Sequence, residues 1–312
     1  VEVSDNIVLF VGGVGGAKLA LGLSQIVPPE KLTLIVNTGD DFWHLGLKIS
    51  PDMDTVMYTL AGVVNPAFGW GVNQDTRTTL ETLEKHYQFE PWFGLGDKDM
   101  ATHLLRTHLL REGHTLTEVT ALLAEKIGVR HPLLPMCDEE VPTMIATEQM
   151  GELGFQEYFV KHRWQPVISA IHYTNHEHAT ISDAVRSAVE SADVILIAPS
   201  NPWLSIAPIL SIPGLSDLIR SHDIPRVVVT PIIGGTAVKG PTAKIMGELG
   251  LQVTGASIVD FYGDVINGFV NDVQNRDVVH EQLRTVKFDT LMKDLDDKIR
   301  LGESILTWIK GW

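Results

Sequence analysis

A chain of 312 residues with 44% hydrophobic and 20% charged residues buries about three quarters of its unfolded surface and needs no covalent staple. The formal net charge of −15 excludes a broad polyphosphate partner such as DNA or RNA, which demands a basic face, while a small anion can still be held by a local field of lysines, arginines and backbone N–H groups. The single cysteine, Cys137, excludes an internal disulfide framework, no apolar run reaches the roughly 18 residues of a membrane span, and VEVSDN lacks the basic start of a signal peptide, so a cytoplasmic protein with no membrane partner is expected.

The first element is a short apolar strand at about 7–11, IVLFV, followed at once by GGVGGAKLALGL. Gly12, Gly13, Gly15 and Gly16 free the backbone for positive φ and let its N–H groups approach a ligand. The helix starting near Ala17 adds the positive end of its dipole, so a phosphate is the expected guest. Neither common fingerprint fits: a dinucleotide G-x-G-x-x-G would need glycine at Lys18, and a Walker loop would need glycine at Ala17 and Ser or Thr at Leu19. The plainer alternative is a tight turn whose glycines serve packing alone.

A second strand at 32–37 leads into NTGDDFWHLGLKISPDMDT, which crowds Asp40, Asp41, Asp52 and Asp54 into one connection. Carboxylates at that density repel unless a cation or hydrogen bonds lie between them. Beside a phosphate site they suggest Mg²⁺, which takes one or two of these carboxylates; capping of the next helix by Ser50 or Asp52 is the alternative.

From about 54 to 130 the pattern is mainly helical and reads as an insertion, with Thr115 and Glu118 forming a capping box. Within it, LGDKDMATH places Asp97 as either an N-cap or a ligand contact. Lys98 falls in a helix's first turn, where it opposes the dipole unless an anion compensates. Arg106 follows about two turns later and either lies on a neighbouring face or, like most such arginines, is solvated. The stretch 131–164 has the prolines and short β-prone runs of a small sheet extension.

Further buried strands are expected at 167–173, 194–198 and 226–230, with a weaker one at 268–272. Strands alternating with helix-length segments make a doubly wound, mostly parallel α/β sheet. The core spans about 1–53 and 165–275 of one compact unit, and a terminal amphipathic helix occupies about 289–310. Ligands bind such sheets at the carboxyl ends of the strands. Those ends, GGVGG, NTGDD, APSNP and TPIIGG, all read as site loops. Ser200 and Asn201 offer donors to a base or phosphate; a nucleophilic serine is not supported, since no G-x-S-x-G surrounds it. Gly234 and Gly235 form a second glycine loop with Lys239 and Lys244 nearby. Neither His172, His176 and His178 nor His103, His108 and His114 has a zinc spacing. Phe42, Trp43, Phe68, Trp70, Trp92 and Phe93 lie near the site loops, where they are either core or a stacking surface for a flat ring.

Six ordered blocks, GGVGGAKLALGL, NTGDDFWHLGLKISPDMDT, LGDKDMATH, LPMCDEEVPT, APSNPWLSIAPIL and PIIGGTAVKGPTAK, make the chain resemble the 2-phospho-L-lactate transferase family of deazaflavin coenzyme F-420 biosynthesis, bacterial phosphoenolpyruvate transferases included. The resemblance covers roughly residues 7–305. It implies a Rossmann-like core binding a guanosine diphospho-activated three-carbon acid and the acceptor 7,8-didemethyl-8-hydroxy-5-deazariboflavin. The phospho-acid would move to the terminal ribityl hydroxyl with release of GMP and a requirement for Mg²⁺. The family's acceptor-binding aspartate falls on Asp54 and the basic residue of its GD-[KR]-D block on Lys98. The expected roles are then Gly12 to Gly16 for phosphate or ring edge, Asp54 with Asp41 or Asp52 for Mg²⁺ and the acceptor hydroxyl, Lys98 for developing charge, and Ser200, Asn201 and the 234–240 loop for the nucleotide. Either a phospholactyl or a phosphoenolpyruvyl donor satisfies these residues, and a homodimer is left open. Two other readings compete. A nucleotide-sugar-binding regulator of the related gluconeogenesis-factor group would share the glycine-rich start but need no tricyclic acceptor pocket. A nicotinamide dehydrogenase would find its acidic residue in Asp40, but not its glycines.

Overall fold

The structure is a computed structural model and describes residues 5–237 and 242–312; Lys239 and the end of the 234–240 loop lie outside the described residues. In chain order the strands are β1 (Ile7–Val11), β2 (Leu32–Val36), β3 (Phe42–His44), β4 (Leu47–Ile49), β5 (Leu133–Pro135), β6 (Thr143–Thr147), β7 (Gly151–Gly154), β8 (Ile168–Tyr173), β9 (Val194–Ile197), β10 (Arg226–Val229), β11 (Ile232–Ile233), β12 (Thr236–Ala237), β13 (Gly268–Asp272) and β14 (Arg284–Phe288). The helices are α1 (Gly13–Ser24), α2 (Pro51–Leu60), α3 (Thr78–Tyr87), α4 (Asp97–Arg111), α5 (Leu116–Lys126), α6 (Asp183–Glu190), α7 (Ala207–Leu210), α8 (Leu215–Arg220), α9 (Thr242–Glu248), α10 (Gly255–Tyr262) and α11 (Leu295–Ile309).

Seven strands form one sheet in the order β14-β13-β10-β9-β1-β2-β5, and every pairing in it is parallel. Period-two alternation splits the strand residues between two cores. Val8, Phe10, Ile195 and Ile197 face one that also takes Val185 of α6, Ile219 of α8 and Ile258 of α10. Ile7, Leu9, Val11, Val194 and Leu196 face the other, against Leu19 of α1, Val56 of α2 and Ile305 of α11. Helices on both faces of a parallel sheet make this the expected Rossmann-like α/β fold.

The chain winds outward in opposite directions from the centre, to β2 and β5 on one side and to β9, β10, β13 and β14 on the other. The strand order therefore reverses between β1 and β9, where a crevice opens above the carboxyl ends. The loops after those two strands are GGVGG and APSNP.

Two strand expectations change. The run at 167–173 does not enter the parallel sheet; β8 pairs antiparallel with β6 in a separate sheet ordered β7-β6-β8. Partial exposure explains this, since only Ile168 of its six residues is buried, whereas the central strands are buried throughout. Leu133–Pro135, within the stretch expected as a sheet extension, instead pairs with β2 as an edge strand of the main sheet.

Candidate functional site

The crevice widens into a cavity of about 830 Å³. Its floor is made by strand ends: Gly12 to Gly15 after β1, Asp40 after β2, Pro199 to Asn201 after β9, and Thr230 and Pro231 after β10. A second wall comes from α2, α4 and the segments between them, and Phe155, Phe159 and Thr290 to Met292 close the remainder.

The glycine-rich turn is locked to the loop after β9. Ser200 Oγ accepts from the Gly12 N–H at 3.2 Å and donates to the Gly12 carbonyl at 2.7 Å. A Cβ on Gly15 would stand 2.5 Å from the Pro199 carbonyl oxygen, and one on Gly16 would stand 2.7 Å from Ser200 Oγ. Glycine at 15 and 16 is thus required by close approach of protein to protein, and Gly16 does not line the cavity. Gly13 has φ +63°, a conformation glycine adopts without strain, and its backbone N–H favours the ionised form of Asp52 beside it. With Gly12 and Gly13 engaged, Val14 and Gly15 are the first-turn amides of α1 that have no acceptor among the described residues. Asn201 caps the helical turn Pro202–Ile206 by accepting from Trp203 and Leu204 N–H; its amide donates to Thr242 Oγ1 at 3.0 Å.

The carboxylates divide into three environments. Asp52 accepts from Asn37 Nδ2 at 2.9 Å, and burial pushes it up to about 6 despite that bond. Asp40 accepts from Gln156 Nε2 at 3.1 Å, its other oxygen is buried without a partner among the described residues, and burial together with the charges of Asp52 and Asp41 raises it well above the carboxylate range. Asp41 turns away from the cavity, accepts from Ser50 Oγ at 2.7 Å and lies 3.9 Å from Lys48 Nζ; burial pushes it up to about 7. Of the adjacent pair it is therefore Asp40, not the expected Asp41, that faces the cavity. Asp40 and Asp52, buried together on the cavity lining with a bare oxygen on Asp40, fit a hard divalent cation; the bare Oδ1 of Asp41 lies off the cavity.

Asp54 belongs to a different network. Arg106, 1% exposed, clamps it with both terminal nitrogens, Nη1 to Oδ2 at 3.0 Å and Nη2 to Oδ1. Arg106 Nη1 also reaches His103 Nδ1 at 3.2 Å, His103 Nε2 lies 3.2 Å from Asp99 Oδ2, and the Tyr58 hydroxyl donates to Asp99 Oδ1 at 2.8 Å. Burial alone would raise Asp99, but His103 and Tyr58 outweigh it and the net shift is downward. Ligand atoms of Asp54, Asp99 and His103 lie within 4.8 Å of one another, so these residues form an Asp/His group that could take a metal. The guanidinium of Arg106 already supplies a positive charge there. Of the two places open to Arg106, a neighbouring face and solvent, it takes the first. Its burial follows from spacing: Asp99, His103 and Arg106 recur at i, i+4 and i+7 on one face of α4, opposite Asp54 and Tyr58 at i and i+4 on α2.

Lys98 is exposed and does not line the cavity. Its Nζ donates to the carbonyls of Gln74 at 2.9 Å and Asn73 at 3.3 Å. The anion that relieves the α4 dipole is Asp75, which accepts from the N–H groups of Lys98 and Asp99. Asp97 in turn accepts from the N–H groups of Thr78 and Thr79 at the start of α3. The two helices thus cap each other. Gly234 and Gly235 form the turn between β11 and β12, at φ +59° and +76°, and Ile233 rather than either glycine lines the cavity. Lys244 is turned to Glu248, the Pro166 carbonyl and the Tyr158 hydroxyl, away from the site. Cys137 is buried and its thiol is pushed up to about 12 by burial, which suits a spectator.

The family model for 2-phospho-L-lactate transferase CofD matches residues 7–302. The chain belongs to that family. It is 37% identical over 303 residues to the 2-phospho-L-lactate transferase of Methanosarcina mazei, covering 96% of this chain and 99% of the relative. It is 40% identical over 311 residues to the phosphoenolpyruvate transferase of Streptomyces griseus, covering 96% and 97%. The family membership makes this chain an enzyme of the transferase class. A UPF0052 family protein from Bacillus halodurans shares the fold, with a TM-score of 0.64 at 16% identity over 98% of this chain and 100% of that one. Among the described residues no helix is long and apolar enough to cross a membrane.

Proposed function

We propose that this transferase moves a phospho-three-carbon acid, 2-phospholactate or phosphoenolpyruvate, from its guanosine diphospho-activated form to the terminal ribityl hydroxyl of 7,8-didemethyl-8-hydroxy-5-deazariboflavin, a step of coenzyme F-420 assembly. The observation that carries the reading is the meeting, in one cavity, of the first-turn amides of α1 with Asp54 held by a buried arginine. Phosphoryl-type transfer asks for positioning and charge neutralisation rather than a covalent nucleophile.

The diphosphate lies at the Val14 and Gly15 amides and the α1 dipole, with Ser200 holding the turn in shape and Asn201 and Thr242 beside the nucleotide. Asp54 accepts the acceptor's hydroxyl proton and aims its oxygen at the phosphorus that bears the acid. The new O–P bond forms as the bond from that phosphorus to the bridging oxygen breaks, and GMP leaves with the bridging oxygen. Lys98 acts at one remove, by holding the 73–77 segment against the wall. Mg²⁺ would be held by Asp40 and Asp52, with Asp54 alongside, and would supply neutralising charge to the phosphate oxygens. Phe68 and Trp70, 56% and 54% exposed with ring centroids 5.5 Å apart, give the cavity mouth an apolar ledge for a flat ring.

The test is incubation of the protein with the deazaflavin, Mg²⁺ and each chemically made donor, read by mass spectrometry. Equal amounts of phosphodiester and GMP are expected with at least one donor. Absence of both products with either donor, from folded protein, overturns the reading.

A further inference from the structure

We propose that Arg77 is the residue that grips the carboxylate of the three-carbon acid, an inference that rests on the transfer reading above. The cavity lining is acidic, with Asp40, Asp52, Asp54, Asp75 and Asp99 against Lys18 and Arg77 as its fully charged cations. A donor carrying a diphosphate and a carboxylate needs opposite charge at both ends. The α1 amides would serve the diphosphate, as would a divalent cation held by Asp40 and Asp52, and neither is matched to a planar carboxylate.

Lys18 donates to the Met292 carbonyl at 2.8 Å, and Arg106 is spent on Asp54. Arg77 differs from both: it is exposed to the cavity, and its side chain makes no hydrogen bond or ion pair with any described residue. Its backbone, by contrast, is fixed. Thr76 on one side and Thr78 and Thr79 on the other are tied to the Asp97 carboxylate at 2.6, 2.8 and 3.0 Å, and the Asp97 N–H donates to the Thr76 carbonyl at 2.8 Å. The guanidinium rests over Gly94, where a Cβ would meet Nη2 at 3.4 Å, so the absence of a side chain at 94 gives it room.

A rigidly mounted guanidinium on a cavity wall, without a partner among the described residues, is a fork for a carboxylate, which it engages by two parallel N–H···O bonds. It stands on the wall built by the helical segments, whereas the diphosphate site belongs to the strand ends. A donor anchored at the glycine turn thus extends its acid end to that wall.

Arg77→Ala and Arg77→Lys test this by two routes. In steady-state transfer, Arg77→Ala should raise the donor KM roughly tenfold or more, the scale of one charge-assisted contact, with the acceptor KM and the affinity for GDP within about twofold of wild type. Arg77→Lys, which keeps the charge but loses the fork, should fall between. A donor KM within twofold of wild type overturns the proposal, as does an equal loss of GDP affinity or a change confined to the acceptor KM. The second route needs no turnover: calorimetric titration with 2-phospholactate, phosphoenolpyruvate and inorganic phosphate. Arg77→Ala should weaken both phospho-acids and leave phosphate unchanged. Equal weakening of all three places Arg77 on a phosphate instead, and no weakening of any removes it from the site. If wild-type protein makes no product, the transfer reading fails while the titrations still decide Arg77.

Discussion

The ion pair between Asp54 and Arg106 makes a sharp prediction because it joins stability to turnover. The Asp54 and Arg106 side chains are 7% and 1% exposed, and both terminal guanidinium nitrogens are engaged with the carboxylate. Removing one partner of a buried pair strands the other charge, at about 3–5 kcal/mol. Arg106→Met leaves Asp54 near Asp41 and Asp99 without its counterion, and Asp54→Asn leaves a guanidinium facing an amide. Either change should lower the melting temperature of the unliganded protein by roughly 5–15 °C at the usual few degrees per kcal/mol. Asp54→Asn combined with Arg106→Met removes both charges and should recover much of the loss, giving a coupling energy on the order of 2 kcal/mol. Turnover should behave otherwise: Asp54→Asn lowers it by ~100-fold or more, the scale of one electrostatic catalytic group, and the double variant stays inactive although it refolds. Thermal and urea unfolding of the four proteins, with GMP release measured on the same samples, supplies both readouts. Single variants within about 1 kcal/mol of wild type would show that the pair is not desolvated as described. Recovery of turnover in the double variant would remove Asp54 from catalysis.

The buried carboxylates set a pH dependence. Asp41 and Asp52, raised to about 7 and about 6 from 3.8 by burial, bind protons more tightly folded than unfolded, so the metal-free protein should gain stability as pH falls from 8 to about 5, by up to about 1.4 kcal/mol per group and pH unit. Melting curves in chelator should show this rise, Asp52→Asn or added Mg²⁺ should flatten it, and a curve that falls over the same window contradicts the burial argument. Gly15→Val should damage folding before binding, because its Cβ would meet the Pro199 carbonyl at 2.5 Å; a variant that melts like wild type shows that the turn and the loop after β9 can separate. Lys98→Ala should cost at most about 1 kcal/mol, as expected of an exposed contact, yet speed proteolysis within 65–77 by releasing the Asn73 and Gln74 carbonyls, and unchanged cleavage refutes the anchoring role.

What the sequence reveals and what it hides follow from the range of the interactions involved. The sheet is legible because β1 and β9 are fully apolar runs and β10 is three buried valines after Arg226, as buried parallel strands require. Its site edge is legible because the residues after those strands are ones a packed connection does not need. β8 is misplaced for the complementary reason: its apolar residues read as a buried run, whereas five of its six residues are at least partly exposed, and although a small sheet is expected within 131–164, nothing local shows that β8 joins it by pairing with β6. Local capping logic anticipated a compensating anion at Lys98 but could not name it, since Asp75 and Asp97 exchange caps between helix starts about 20 residues apart. The same limit applies to charge. Asp40 and Asp41 are neighbours in sequence, and only the packing of Gln156, Ser50 and Lys48 around them decides which one meets the cavity. Arg106 was within reach: three polar residues on one face of α4 already form a stripe that either faces water or meets another such stripe. Asp54 and Tyr58 on α2 are that second stripe. Two polar stripes that share a face spacing and flank an acidic connection should therefore be read as one buried network, with the arginine as its counterion, before any of its members is assigned to solvent.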